Sequence, residues 1–231
     1  MRAVRRQRGS QRSGVRVIAV AFASWGGGLI MTRVMSLLRV IAGTHRGRRL
    51  AAPPGRGTRP MLDRVREAIF GRLAPWFAPD EAPRVLDLFA GSGSLGIEAL
   101  SRGAAFARFV ERGREAGEVL AKNLRDLDLD EHAELLAADA LSGAAREGGP
   151  WDVVFYDPPY PLLAVGGDGP AARDAVLDAL AAIVRGPLAE DGVLVFHAPA
   201  GSVAETELPS DLEAALKTYG TTDIWFVGRG E

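Results

Sequence analysis

Short β-favouring runs alternate with segments of helical period along most of the chain, and glycine, proline or an acid marks each switch. The runs "RVLDLFAG", "ARFVER", "AELLAAD", "WDVVFYD" and "GVLVFHA" predict five strands, and a terminal pair, "LKTYG" and "DIWFVGR", predicts a closing hairpin. Between them, Ser94 to Ser101, Glu115 to Leu127, a short stretch after Asp139, and Ala171 to Val184 read as helices. Upstream, "LLRVIAG" and "RRLAAP" predict two strands of a hairpin, followed by a proline- and glycine-rich connector. A helix over Asp63 to Leu73 then starts at an N-cap aspartate and lines up Val65, Ile69 and Leu73, with Ala68 and Phe70 flanking them. Strands alternating with helices argue an α/β fold: a mostly parallel seven-stranded sheet covered on both faces, with an antiparallel C-terminal hairpin and a small N-terminal β-hairpin extension. No internal repeat is present.

Composition narrows the chemistry. The chain has 231 residues, 47% hydrophobic and 25% charged, which suits one soluble domain with an appendage. With no cysteine and three histidines far apart in sequence (His45, His132, His197), a disulfide framework, a thiol nucleophile and a metal site are not expected. The net charge of −1 hides an asymmetry: 13 arginines precede the first acid, Asp63, while 15 basic and 29 acidic residues follow. A basic arm on an acidic body reads as a polyanion-binding arm. Residues 1–35 carry an apolar run, Val15 to Trp25, that is too short to span a bilayer. Ala21 and Ala23 resemble a signal-peptide cleavage pattern, and the acid-free composition resembles a transit peptide. Met31 and Met35 offer later starts, and a disordered or spurious extension is expected over a targeting signal. The expected organisation is that extension at 1–35, a basic hairpin and connector at 36–62, and a catalytic domain at 63–231.

Two stretches carry the candidate chemistry. "RVLDLFAGSGSLGIEAL" places Gly91, Gly93 and Gly96 between a strand and a helix, which alone says only that a nucleotide-type cofactor binds. Asp87, four residues before Gly91, would repel a pyrophosphate and suits a cationic or amine-bearing ligand such as S-adenosylmethionine. The cofactor-binding set is Asp87, Phe89, Ala90, Gly91, Ser92 and Gly93. Glu111 and Arg112 join it at the next strand end, where a carboxylate can accept ribose hydroxyls, a spacing that suits NAD equally well. Asp139 and Ala140 are placed toward the adenine. Each acid taken alone could equally be a helix cap. In the second stretch, "WDVVFYDPPYP", a strand stops at an acid and two prolines, giving a stiff corner that holds Asp157, Pro158, Pro159 and Tyr160. The Asp157 carboxylate and the Pro158 carbonyl can each accept one N–H of an exocyclic amine and aim its lone pair at a methyl donor. Tyr160 can stack on the base, and Asp157 also faces the cofactor. A rigid turn is the plain alternative.

Taken together, "RVIAGTHRGRRL", "TRPMLDRVREAIF", "LDLFAGSGSLGIEALSRGA" and "FYDPPY", in this order, resemble the RsmD-type family of bacterial methyltransferases from about Leu38 to the C-terminus. D-x-F-x-G-x-G resembles the first motif of class I methyltransferases, and D-P-P-Y their [DN]-PP-[YFW] motif. The resemblance implies a Rossmann-like class I fold and methyl transfer from S-adenosylmethionine to the N2 amine of a guanine in 16S ribosomal RNA (the guanine-966 type). It also implies a cytoplasmic monomer, without metal or membrane, that acts on an assembled 30S particle. Met61 and Leu62 depart from the small or polar residues usual after T-R-P, and residues 1–35 have no counterpart in the family pattern.

Arg39, His45, Arg46, Arg48 and Arg49 surround the hairpin turn and are read as RNA contacts, since arginine grips phosphate bidentately and stacks on unpaired bases. Arg56 follows in the connector. Thr58, Arg59 and Pro60 are assigned to the substrate side of the active site. The loop from Leu162 to Ala171 is read either as a lid or as a plain connection. Competing readings are amino-methylation of adenine N6 in DNA or RNA, or of a protein glutamine, an NAD-dependent oxidoreductase, and a non-catalytic RNA-binding module.

Overall fold

The five parallel-type runs become β1 (Arg84–Leu88), β2 (Phe106–Val110), β3 (Ala133–Leu136), β4 (Trp151–Tyr156) and β5 (Leu188–Pro199), and the terminal pair becomes β6 (Leu212–Tyr219) and β7 (Thr222–Arg229). The helices are α1 (Asp63–Arg72), α2 (Ser94–Ser101), α3 (Arg114–Asp126), a single turn α4 (Tyr160–Leu163) and α5 (Pro170–Arg185). This computed structural model describes residues 38–53, 61–164 and 169–230, all within one compact unit, Leu37–Glu231. The extension, Arg56, Thr58, Arg59, Pro60 and part of the loop after α4 lie outside the described residues. Among the described residues no helix is long and apolar enough to cross a membrane.

One sheet runs in the order β3-β2-β1-β4-β5-β7-β6, parallel through β5 and antiparallel at β7 and β6. Strand alternation sorts the core into two layers. Val85, Ala107, Phe109, Val153, Phe155, Val193 and Val195 face α1, α2 and α3, whereas Leu86, Leu88, Val154, Tyr156, Leu194 and Phe196 face α5. On the first face Phe70 of α1 packs against Phe155 of β4, with ring centroids 5.6 Å apart.

Three local expectations change. α1 is capped by Leu62 in extended conformation and not by Asp63, which is already helical. The Asp63 carboxylate is engaged elsewhere, accepting from Arg66 Nη2 at 2.8 Å and from Arg39 Nε at 3.1 Å. β5 starts at Leu188, upstream of Gly192, with a register shift opposite Trp151 and Val153. The N-terminal hairpin keeps its outline, with Val40 N–H donating to Arg48 C=O and Leu50 N–H to Leu38 C=O, but ladder pairing is confined to one antiparallel bridge, Arg39 to Arg49.

Five backbone donors of this arm, as many as bond within it, go to the body of the protein instead. The fully buried carboxylate of Glu98 accepts from Ile41 N at 2.7 Å and Ala42 N at 3.0 Å, and from Arg102 Nε at 2.8 Å. Ser101 takes His45 N–H on its hydroxyl and Thr44 N–H on its carbonyl. Gly43, at φ +81°, rests on that carbonyl so closely that a Cβ would overlap it. Asn123 of α3 accepts from Ala51 N at 2.8 Å and donates to Ala51 C=O at 3.0 Å and Ser92 C=O at 2.9 Å. Leu38, Val40 and Leu50 complete the attachment by joining the first core layer.

Candidate active site

The direction of winding reverses between β1 and β4, and in open α/β sheets ligands bind in the crevice at such a reversal, beyond the carboxyl ends of the strands. The chain leaving β1 turns through left-handed backbone at Phe89 (φ +60°), Gly91 (+56°) and Gly93 (+78°). Phe89 is the costly one, since only glycine enters this region freely, and its ring packs against Tyr156 at 5.7 Å. The glycines serve different ends. A Cβ on Gly93 would collide with Leu120 in the core, whereas one on Gly91 would meet, among the described residues, only the Phe89 carbonyl at 3.9 Å, which leaves the loop open above it. Ala90 is bound to β2 through its N–H on Val110 C=O, and Ser92 offers its carbonyl to Asn123.

Glu111, just past β2, accepts from Gly91 N at 2.9 Å and from Gly113 N at 2.6 Å, one donor on each oxygen, so further lone pairs remain for hydroxyl groups. Asp87 lies almost wholly inside, and its Oδ2 accepts from Gly96 N at 2.9 Å. Burial pushes its carboxyl well above the usual carboxylate range against that one N–H, and the charges of Asp157 and Glu111 push it the same way. A positively charged guest would relieve the repulsion that Asp87 meets from Asp157 and Glu111. The donor set of the crevice therefore fits S-adenosylmethionine, with Asp87, Glu111 and the Gly91 backbone as the groups able to hold it.

Asp139 does not end β3, which stops at Leu136. It forms a turn, Oδ1 accepting from Leu141 N at 3.0 Å, while Oδ2 pairs with Arg112 Nη1 at 3.1 Å, so it caps no helix and the two predicted residues are brought together. Ala140 is buried in the second core layer and presents no side chain to the crevice.

The D-P-P-Y corner follows β4 directly. Pro158 is buried and Pro159 exposed, and Tyr160 opens α4 with its ring 42% exposed. The sequence reading gave no role to His197 of β5, yet its Nδ1 lies 2.6 Å from Asp157 Oδ1 and its Nε2 lies 3.3 Å from the Tyr160 hydroxyl. The β4–β5 register, which pairs Tyr156 with Phe196, creates this contact. The one available signal was a polar residue at a buried position of the otherwise apolar run Gly192 to Ala198.

On the arm, Arg39, Arg46, Arg48 and Arg49 are exposed and His45 is half-buried. Arg48 donates to Asp126 C=O, Arg39 pairs with Asp63, and His45 Nδ1 meets the Thr44 hydroxyl.

A family model described as Conserved hypothetical protein 95 matches residues 38–228. YlbH of Bacillus subtilis, by its name a candidate rRNA methyltransferase, is 39% identical over 196 residues, covering 81% of this chain and 96% of that protein. Ribosomal RNA small subunit methyltransferase D of Escherichia coli K12 is 45% identical over 123 residues, covering 53% of this chain and 60% of that protein. Among solved structures, yhhF of Escherichia coli, a candidate methyltransferase by its name, superposes with a TM-score of 0.68 at 33% identity, over 84% of this chain and 98% of that one. These likenesses set aside the NAD-dependent oxidoreductase and the non-catalytic binding module. The chain belongs to the Conserved hypothetical protein 95 family, the RsmD-type methyltransferases whose motifs it carries.

Proposed function

We propose that this protein transfers the methyl group of S-adenosylmethionine to the exocyclic N2 amine of a guanine in small-subunit ribosomal RNA, as a cytoplasmic monomer acting on an assembled or assembling 30S particle. The relatives' names support rRNA methylation as the class of reaction. The observation that carries the reading is the shared crevice: Asp157, which heads the D-P-P-Y corner, follows Tyr156 of β4, and Tyr156 pairs with Leu88 of β1, the residue after Asp87, so the two acids lie on adjacent parallel strands two register steps apart. An acid suited to orienting an amine thus stands beside an acid suited to a cation.

S-adenosylmethionine supplies, when bound, an electrophilic methyl group on a positively charged sulfur. Asp87 and Glu111 provide the negative surroundings that hold a cationic cofactor. Asp157 Oδ2 and the Pro158 carbonyl accept the two N–H groups of the guanine amine and localise its lone pair, with Tyr160 against the base. Asp157 acts as acceptor and orienter, and the amine loses its proton after transfer. Thr58, Arg59 and Pro60 are assigned to substrate contact, and Asp139 with Arg112 to the adenine end. The decisive experiment supplies tritiated methyl donor and undermethylated 30S particles, naked rRNA or DNA, and identifies the methylated nucleoside. N2-methylguanosine from the particles is expected; N6-methyladenosine or labelled DNA would replace this reading by the adenine one.

Two further results are expected. Replacing Arg46, Arg48 and Arg49 together by alanine should weaken particle binding and lower the salt dependence of log K by about one unit for each arginine that contacted a phosphate. Filter binding across a salt series checks this, and an unchanged slope would remove the arm from the RNA interface. The raised Asp87 carboxyl also predicts a pH effect. Between its ordinary value of 3.8 and the raised folded one, the folded protein holds more protons than the unfolded chain. Its stabilising contribution is therefore complete below the ordinary value and is lost as pH rises through the folded one. A cationic ligand favours the ionised form, so binding S-adenosylmethionine should release a proton in that window. Affinity should rise with pH at a limiting slope of about one log unit per pH unit. Calorimetry in two buffers of different ionisation enthalpy measures that proton, and Asp87→Asn should abolish it.

A further inference from the structure

We propose that His197 is a positioning residue for the transfer, locking the acid and the aromatic ring of the D-P-P-Y corner into one register; the inference rests on the proposed amino-methyl transfer. Both ring nitrogens are committed to that corner. Nδ1 lies 2.6 Å from Asp157 Oδ1, and Nε2 lies 3.3 Å from the Tyr160 hydroxyl. The imidazole and phenol rings meet edge-on, at 69° with centroids 5.7 Å apart. His197 itself is 8% exposed, while both of its partners open onto solvent. The imidazole is thus the last buried layer beneath the working surface.

Hydrogen-bond chemistry fixes the direction of each bond. An ionised carboxylate only accepts, so Nδ1 carries the hydrogen and donates to Asp157. In the neutral ring Nε2 is then an acceptor, and the Tyr160 O–H donates to it. Protonation of the imidazole reverses only the second bond, because Tyr160 oxygen can accept from Nε2–H. The remaining neighbours are neutral or turned away. Ile224 of β7 pairs with His197 on the far side, and Asp223, one residue along, is occupied by Gly201 N–H and the Thr218 hydroxyl. Two consequences follow for the reaction. Asp157 Oδ1 is engaged from below, which fixes the carboxylate plane and leaves Oδ2, with no partner among the described residues, as the oxygen that meets the amine. The tilt of the Tyr160 ring is set before any base arrives, so the amine's height over the ring and its distance from the acid are fixed together.

Asparagine and glutamine separate the two bonds. An asparagine amide nitrogen falls near the place of Nδ1, and a glutamine amide falls near that of Nε2. With undermethylated 30S particles and S-adenosylmethionine, His197→Ala and His197→Gln should lower kcat about 10–100-fold with KM for the methyl donor unchanged. His197→Asn should recover most of the loss seen in His197→Ala. Tyr160→Phe should raise KM for the particle more than it lowers kcat. Equal losses in His197→Asn and His197→Gln that track their melting temperatures would reduce His197 to a packing residue and overturn the inference, as would wild-type kcat in all three variants. A catalysis-independent measurement accompanies the series. In 15N-labelled protein the His197 Nδ1–H resonance should be hydrogen-bonded, and in Asp157→Ala it should shift or exchange away; its persistence there refutes the pairing. Absence of methyl transfer by the wild-type enzyme would instead count against the proposed function, with the imidazole spectrum still reporting on the bond.

Discussion

Asp157→Ala should transfer methyl groups to the RNA substrate about 10²–10³-fold more slowly than the wild-type protein, a larger loss than in its affinity for the methyl donor. The size follows from what the side chain does not do. It is over a third exposed, and its one side-chain partner among the described residues is His197, so its loss removes an acceptor from the crevice without opening the core. The structural cost is limited to an imidazole N–H left without an acceptor, about 1–3 kcal/mol. For a chain of this size that lowers the melting temperature by a few degrees at roughly 2–4 °C per kcal/mol. Single-turnover kinetics with saturating donor checks the rate, and a thermal melt checks the fold. Asp157→Asn keeps one carbonyl acceptor but presents an amide donor as its second group, so an intermediate rate is expected. Near-full activity in Asp157→Asn would show that the charge is dispensable, and near-full activity in Asp157→Ala would remove the residue from the mechanism.

Glu98→Ala should be the most destabilising single change outside the crevice. It strips the acceptor from two backbone N–H groups of the arm and from Arg102 in a fully buried position. Removing one partner from such a buried charged network costs about 3–5 kcal/mol, which lowers the melting temperature on the order of 10 °C. The loss should be local in character. Hydrogen exchange at Ile41 and Ala42 should quicken first, and particle binding should fall with it because the arm loses its seat. Donor binding at the far end of the sheet should suffer less. A melt within 2 °C of wild type, with both amides still protected, would show that the arm is held by its apolar residues alone.

What the sequence made legible was what it writes locally. The glycine loop, the D-P-P-Y corner and the strand–helix alternation are contiguous, so propensity, spacing and punctuation all act on neighbouring residues. The misreadings come from partners distant in the chain. The N-terminal hairpin was expected as two full strands, but Ile41, Ala42 and Ala51 donate to Glu98 and Asn123 and not across a ladder. Asp63 has the composition of an N-cap, yet Arg66 and Arg39 compete successfully for its oxygens. His197 lies 40 residues from Asp157, and only the pairing of β4 with β5 makes them neighbours. Asp139 was read as a strand end, whereas the strand stops earlier and the acid builds the turn after it.

The single carboxamide of Asn123 ties the backbone at Ala51 to the backbone at Ser92. Under the proposed function, the span from the phosphate-gripping arginines to the donor pocket is therefore a calliper whose screw is that carboxamide. Such an enzyme measures its target as well as reading it: a guanine offered too near to, or too far from, the gripped strand arrives out of line with the methyl group, whatever its sequence neighbourhood.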